Sequence, residues 1–185
     1  MAHTAIVDVP EDLIDEEMQS ENVLPGPGHG SLFIKGCVDS REILYSTDDE
    51  NEDRFAALAV LYGLTAANDI QFLYQTIAPR LVHSVDHGHF FPGETLWSIN
   101  TLGTAPQAKV DGRITVPANC GRDSILRAIG GLVKLDDSAL ARTIGSVPAE
   151  WDISLDEKAG IARFLAKRRD TLLEAEPSWF MEGKQ

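Results

Sequence analysis

Asp69, Gln71 and Asp86 lie in one stretch, residues 61–93 (LYGLTAANDIQFLYQTIAPRLVHSVDHGHFFPG), and their types suit magnesium-assisted phosphoryl transfer. That chemistry uses one carboxylate to orient the attacking hydroxyl, an oxygen donor such as an amide on the metal, and a second carboxylate on the metal. Asp69, in an Asn68-Asp69 turn, is placed for the first role, and Gln71 and Asp86 for the metal. In Asp86-His87-Gly88 the glycine allows a sharp reversal of the backbone. A different chemistry comes from His83, His87 and His89. A strand continuing through them would set three imidazoles on one face beside Asp86, a zinc or iron set fit for a metal-dependent hydrolase, although Gly88 argues against a regular strand there. Both Asn-Asp and Asp-x-Gly are also common turn sequences with no chemistry attached.

These residues need elements to hold them. Residues 72–74 and 81–85 read as strands joined through 76–80 with Pro79, a hairpin that brings Gln71 and Asp86 to one end. Upstream, 55–64 is apolar at almost every position, so a helix there is buried nearly all round and forms the hub of the core. Asp49 or Asn51 is placed to cap it, Gly63 lies near its end, and residues 66–69 turn out of it to deliver Asp69.

A catalytic aspartate, an amide, a short strand pair and an aspartate-x-glycine together resemble the catalytic core of HipA-like kinases. The run AIVDVPEDLI resembles the end of that family's small lobe, and IGSVPAEWDI with the basic helix after it resembles its C-terminal helices. The resemblance implies a mainly α (α+β) fold, a protein-kinase-like C-lobe with a small β-hairpin at the site. It also implies a Ser/Thr kinase large lobe using ATP and Mg2+, with Asp69 catalytic, Asp86 and Gln71 on the metal, and Asn68, His87, Gly88 and His89 in support. The sequence departs from the family at Gln71, which follows the aspartate after one residue where an asparagine several residues on is usual, and at His87, where many kinases carry phenylalanine. The family's nucleotide-covering small lobe, with its phosphate loop and lysine, is not among these residues. A separate protein supplying it is the expected partner, and weak ATP binding by the chain alone is the expected behaviour. The alternative is a non-catalytic kinase-fold module that binds through its acidic front or the site groove.

With 185 residues, 43% of them hydrophobic, the chain is long enough for a sizeable core. Residues 1–53 hold 14 acidic side chains against Lys35 and Arg41, a balance of −12, and 54–185 are near neutral at −1. We therefore expect an acidic segment, 1–53, ahead of the C-lobe, 54–185. Such a front repels phosphate backbones, which excludes nucleic acid, and suits a basic protein partner. No run nears the roughly 20 apolar residues that span a bilayer, and no signal-like start is present, so no membrane is expected and a cytoplasmic location is. Cys37 and Cys120 read as separate thiols.

Elsewhere, 4–9 suits a strand and Pro10 a helix running to about Gln19. Residues 24–30 (LPGPGHG) read as a loop whose glycines, even with Lys35 beyond, do not make a phosphate loop. Strands are expected at 31–35 and 42–46 around a turn at Asp39-Ser40, and 93–117 as irregular apart from a strand at 114–116. Asp123 is expected to cap a helix with Ile125, Ile129 and Leu132 on one face, and Asp136 or Asp137 the next, ending at Gly145. A last helix, 155–174, would turn Ile161, Leu165 and Leu172 inwards and Lys167, Arg168 and Arg169 outwards.

Overall fold

The computed structural model describes residues 4–20, 23–31, 33–48 and 50–174. It is 50% helical and 13% strand, so the α+β class expected holds with helix dominant. Two compact units make up the chain, Met1–Lys35 with Pro148–Asp152, and Gly36–Val147 with Ile153–Gln185.

In the first unit β1 (Thr4–Val9) is followed by a 3-10 turn (Glu11–Leu13), α1 (Glu16–Ser20) and β2 (Gly26–Ser31). The single helix expected after Pro10 is broken at Ile14, whose backbone is extended, and α1 restarts where the Asp15 carboxylate accepts from the Met18 N–H at 2.8 Å. The loop expected at 24–30 is also corrected, because β2 pairs antiparallel with β1, placing Gly30 opposite Ala5 and Gly28 opposite Val7. Glycines at every second position lie on one face of a strand, and a Cβ on Gly30 would sit 2.9 Å from Val7 Cγ1. The 3-10 turn Ala149–Trp151 belongs to the same unit.

The second unit contains β3 (Cys37–Ser40), α2 (Asn51–Thr65), β4 (Phe72–Gln75), β5 (Val82–Ser84), α3 (Ile99–Gly103), α4 (Gly112–Thr115), α5 (Arg122–Gly131), α6 (Asp137–Gly145) and α7 (Leu155–Glu174). The hairpin of β4 and β5 forms as expected, and β3 extends it to an antiparallel sheet in the order β3-β4-β5. Asp39 and Ser40 are thus strand residues rather than a turn. Residues 42–46 are not a strand, because they wrap over Tyr74, whose hydroxyl donates to the Glu42 carbonyl at 2.8 Å and accepts from the Leu44 N–H at 3.2 Å. The strand expected at 114–116 is helical, since Asp111 caps α4 by accepting from the Arg113 N–H. Among the described residues no helix is long and apolar enough to cross a membrane.

Helix α2 is the hub that its composition implies. Phe55, Ala56, Ala59, Val60, Tyr62 and Leu64 are buried, and Phe55, Tyr62, Phe72 and Tyr74 pack ring against ring. Its start differs from expectation. Glu50, in left-handed backbone, holds the cap position, Asp49 lies outside the described residues, and Asn51 turns inwards to donate to the Tyr45 and Arg80 carbonyls and accept from the Val82 N–H. Asp136 caps α6 as expected, whereas α5 starts after Gly121 with Asp123 in its first turn. On α7, Arg168 reverses its expected direction: it is buried. Its guanidinium donates to the carbonyls of Gly63, Leu64 and Pro106 at 2.6–3.2 Å.

Where α2 passes the chain at Lys109, the two backbones touch. A Cβ on Gly63 would overlap the Lys109 carbonyl oxygen, whereas one on Gly130, exposed near the end of α5, would meet nothing within 4 Å. Gly63→Ala should therefore cost about 3 kcal/mol, and Gly130→Ala should stabilise by up to about 1 kcal/mol, both read by urea unfolding.

Candidate functional site

The exit of α2 builds a cleft of about 550 Å³. Ala66 leaves the helix in left-handed backbone, and the following chain meets two other segments there, 91–94 and 106–113. The first is tied on by backbone hydrogen bonds from Phe91 N–H to the Thr65 carbonyl and from Asn68 N–H to the His89 carbonyl, each 3.0 Å. The second is tied on by Arg113, which donates to the Ala67 and Asn68 carbonyls at 2.6 Å while gripping Asp111. That buried aspartate holds the guanidinium pKa above its usual range, and its own N–H donates to the Ala59 carbonyl at 3.0 Å. Phe91 and Glu94, both at the cleft, also have positive φ. Such strained positions persist only where the surroundings hold them, and they gather at working sites.

Glu94 is the anchor of the cleft's acidic side. Its carboxylate accepts from the Asn68 amide at 2.5 Å and lies 2.9 Å from His89 Nδ1. The Asn68 hydrogen bond, followed by that of His89, holds its pKa below the usual carboxylate value. Lys109 borders the same cleft, is exposed, and has no hydrogen-bond or ion-pair partner among the described residues.

The residues singled out from sequence are distributed unevenly around this cleft. Phe72 pairs with Ser84, and the Val85 N–H donates to the Gln71 carbonyl at 3.2 Å, so the segments bearing Asp69, Gln71 and Asp86 do leave the same end of the hairpin. Asp69 accepts from its own neighbour's N–H, at Ile70, and pairs with exposed Arg41 at 3.1 Å. Asp86 is exposed. Its φ of 52° makes it, rather than Gly88, the left-handed residue of the turn, which corrects the role expected of that glycine. Of the expected set only Asn68 lines the cleft itself, with His89 reaching it through Glu94.

The continuous strand that would align the three histidines is not found, since β5 ends at Ser84 and a 3-10 turn covers His87–His89. The ring nitrogens of His83 are buried without a hydrogen-bond partner, and that burial pushes its pKa down. His87 places Nε2 2.8 Å from Ser84 Oγ, itself 2.8 Å from the Tyr62 hydroxyl, and packs on Phe90. His89 faces Glu94. Among the described residues no group of three or more His, Cys, Asp or Glu is gathered to hold a metal. For magnesium, the oxygen donors Asp69, Gln71 and Asp86 fit in kind, since that ion takes only one or two protein carboxylates.

Sequence reasoning missed Glu94, Lys109, Asp111, Arg113 and Arg168. The signal for Arg168 was present, because 161, 164, 168 and 172 follow helical spacing and put it on the buried face. The others lie in a stretch with too little periodicity to read. The chain matches no protein-family model, no curated protein and no solved structure.

The Glu94 carboxyl should titrate below the ordinary 4.5 in carbon-13 NMR, and Asn68→Ala should raise its midpoint. Because the folded value is the lower one, what the pair adds to stability is complete above 4.5 and is lost as pH falls through the folded midpoint.

Proposed function

We propose that the chain is a binding module whose cleft at the exit of α2 takes a small polar molecule carrying an anionic group. Lys109 carries this reading. In a chain of net charge −13 it stands at the cleft without a partner among the described residues, while Arg113 and Arg168 are occupied by carbonyls and Asp111. Opposite charge is provided by Glu94, whose orientation Asn68 and His89 fix, so a ligand with an anionic group and a hydrogen-bond donor satisfies both sides. The volume falls within the range of roughly 300–1,000 Å³ usual for small-molecule sites. Like the non-catalytic alternative it is a binding module, but it takes a small molecule and assumes no kinase fold.

A second reading, a HipA-like Ser/Thr kinase large lobe of the protein-kinase-like C-lobe type, is favoured by the hairpin register that sets Asp69, Gln71 and Asp86 at one end. Asp86 and Gln71 would hold magnesium and Asp69 would orient the acceptor hydroxyl. When bound, the metal neutralises charge on the phosphates of ATP. Arg41 would have to release Asp69, a modest cost for an exposed pair. A separate small-lobe protein is the partner this reading calls for.

Calorimetric titration with inorganic phosphate, and with ATP in the presence and absence of magnesium, tests both readings. Under the first, Lys109→Glu weakens binding about tenfold or more and Asp86→Asn leaves it unchanged. Magnesium-dependent ATP binding lost in Asp86→Asn supports the second reading instead. If neither anion binds the first reading fails, and if binding ignores both substitutions both readings fail.

A further inference from the structure

Helix α7 borders another cavity, of about 570 Å³, on the side facing α3 and residues 105–108. Its floor is apolar, with Leu102 and Phe164 buried and Ala105 and Ile99 beside them. Its rim is cationic. Arg163 and Lys167 lie four residues apart on α7, so they share one face of the helix and repel each other. Both are exposed and neither side chain has a partner among the described residues, while Asp170, an acid on the same helix, is held by Arg169. Two uncommitted cations over an apolar floor, in a chain this acidic, complement one chemistry: an anionic head on an apolar tail.

We propose that this cavity binds the anion of a single-chain fatty acid, its carboxylate between Arg163 and Lys167 and its chain across Leu102, Ala105 and Phe164. The cavity is bordered by helices and a short loop rather than by a sheet edge, so an extended acidic peptide has no strand to pair with. The site is independent of the reading given to the first cleft, and Lys109 does not border it.

Isothermal titration of the whole chain with butanoate, hexanoate, octanoate and decanoate, and with decanol and decyltrimethylammonium, tests the proposal. Affinity should rise roughly fourfold for each added CH2. Decanoate should bind more tightly than decanol, and decyltrimethylammonium should not bind. The double substitution Arg163→Glu with Lys167→Glu, at exposed positions, should lower decanoate affinity at least tenfold, leave decanol binding and the circular dichroism spectrum unchanged, and be matched by no loss in Lys109→Glu. The proposal is overturned if affinity ignores chain length, if the double substitution leaves decanoate binding intact, or if an acidic peptide rich in Glu and Phe binds where decanoate does not.

Discussion

Helix α2 ends inside the protein, where the last carbonyls of a helix cannot turn to water and must find donors in the chain. Tyr62 is served by the N–H groups of Ala66 and Ala67, Gly63 and Leu64 by the Arg168 guanidinium, and Thr65 by the Phe91 N–H. Arg113 continues the series to Ala67 and Asn68. Two arginines from distant parts of the sequence thus dress the exit of one helix, and the positive charge of each sits favourably at the negative end of the helix dipole. Burial draws the pKa of Arg168 below the usual arginine range, and Phe164 lies against its guanidinium, 5.2 Å from ring centroid to Cζ. The cleft exists because these donors hold three irregular segments around one point.

That arrangement explains which parts could be read from the sequence. Helix α2, the hairpin and α7 announce themselves through apolar runs and helical spacing, and each is found where that spacing puts it. At the front, Pro and Gly in 24–30 suggest a loop, whereas glycine at alternate positions is what lets β2 lie against the valines of β1. Residues 93–117 resisted reading because their order comes from partners far away in sequence, such as Arg113 reaching the Ala67 carbonyl. A buried arginine in a basic run looks like a solvated one until the carbonyls it serves are located.

Chemistry-bearing residues therefore fall into two sets. The carboxylates that looked catalytic sit at the end of the hairpin, one ion-paired and the other exposed on a left-handed turn. The groups fixed by the fold, Asn68, Glu94, Asp111 and Arg113, converge at the cleft. Preorganised polar groups in a concavity are what a binding site requires, and here they are by-products of capping a helix.

Amide hydrogen exchange in an Arg168→Met variant tests most directly whether this one side chain organises the site. The account predicts faster exchange at Ala67, whose N–H closes the last turn of α2 on the Tyr62 carbonyl, and at Asn68 and Phe91, whose N–H groups fasten the helix exit to its neighbours, with protection retained at Val82 and Tyr74 in the sheet. Unchanged protection at those three amides, or an equal loss across the whole chain, would contradict it.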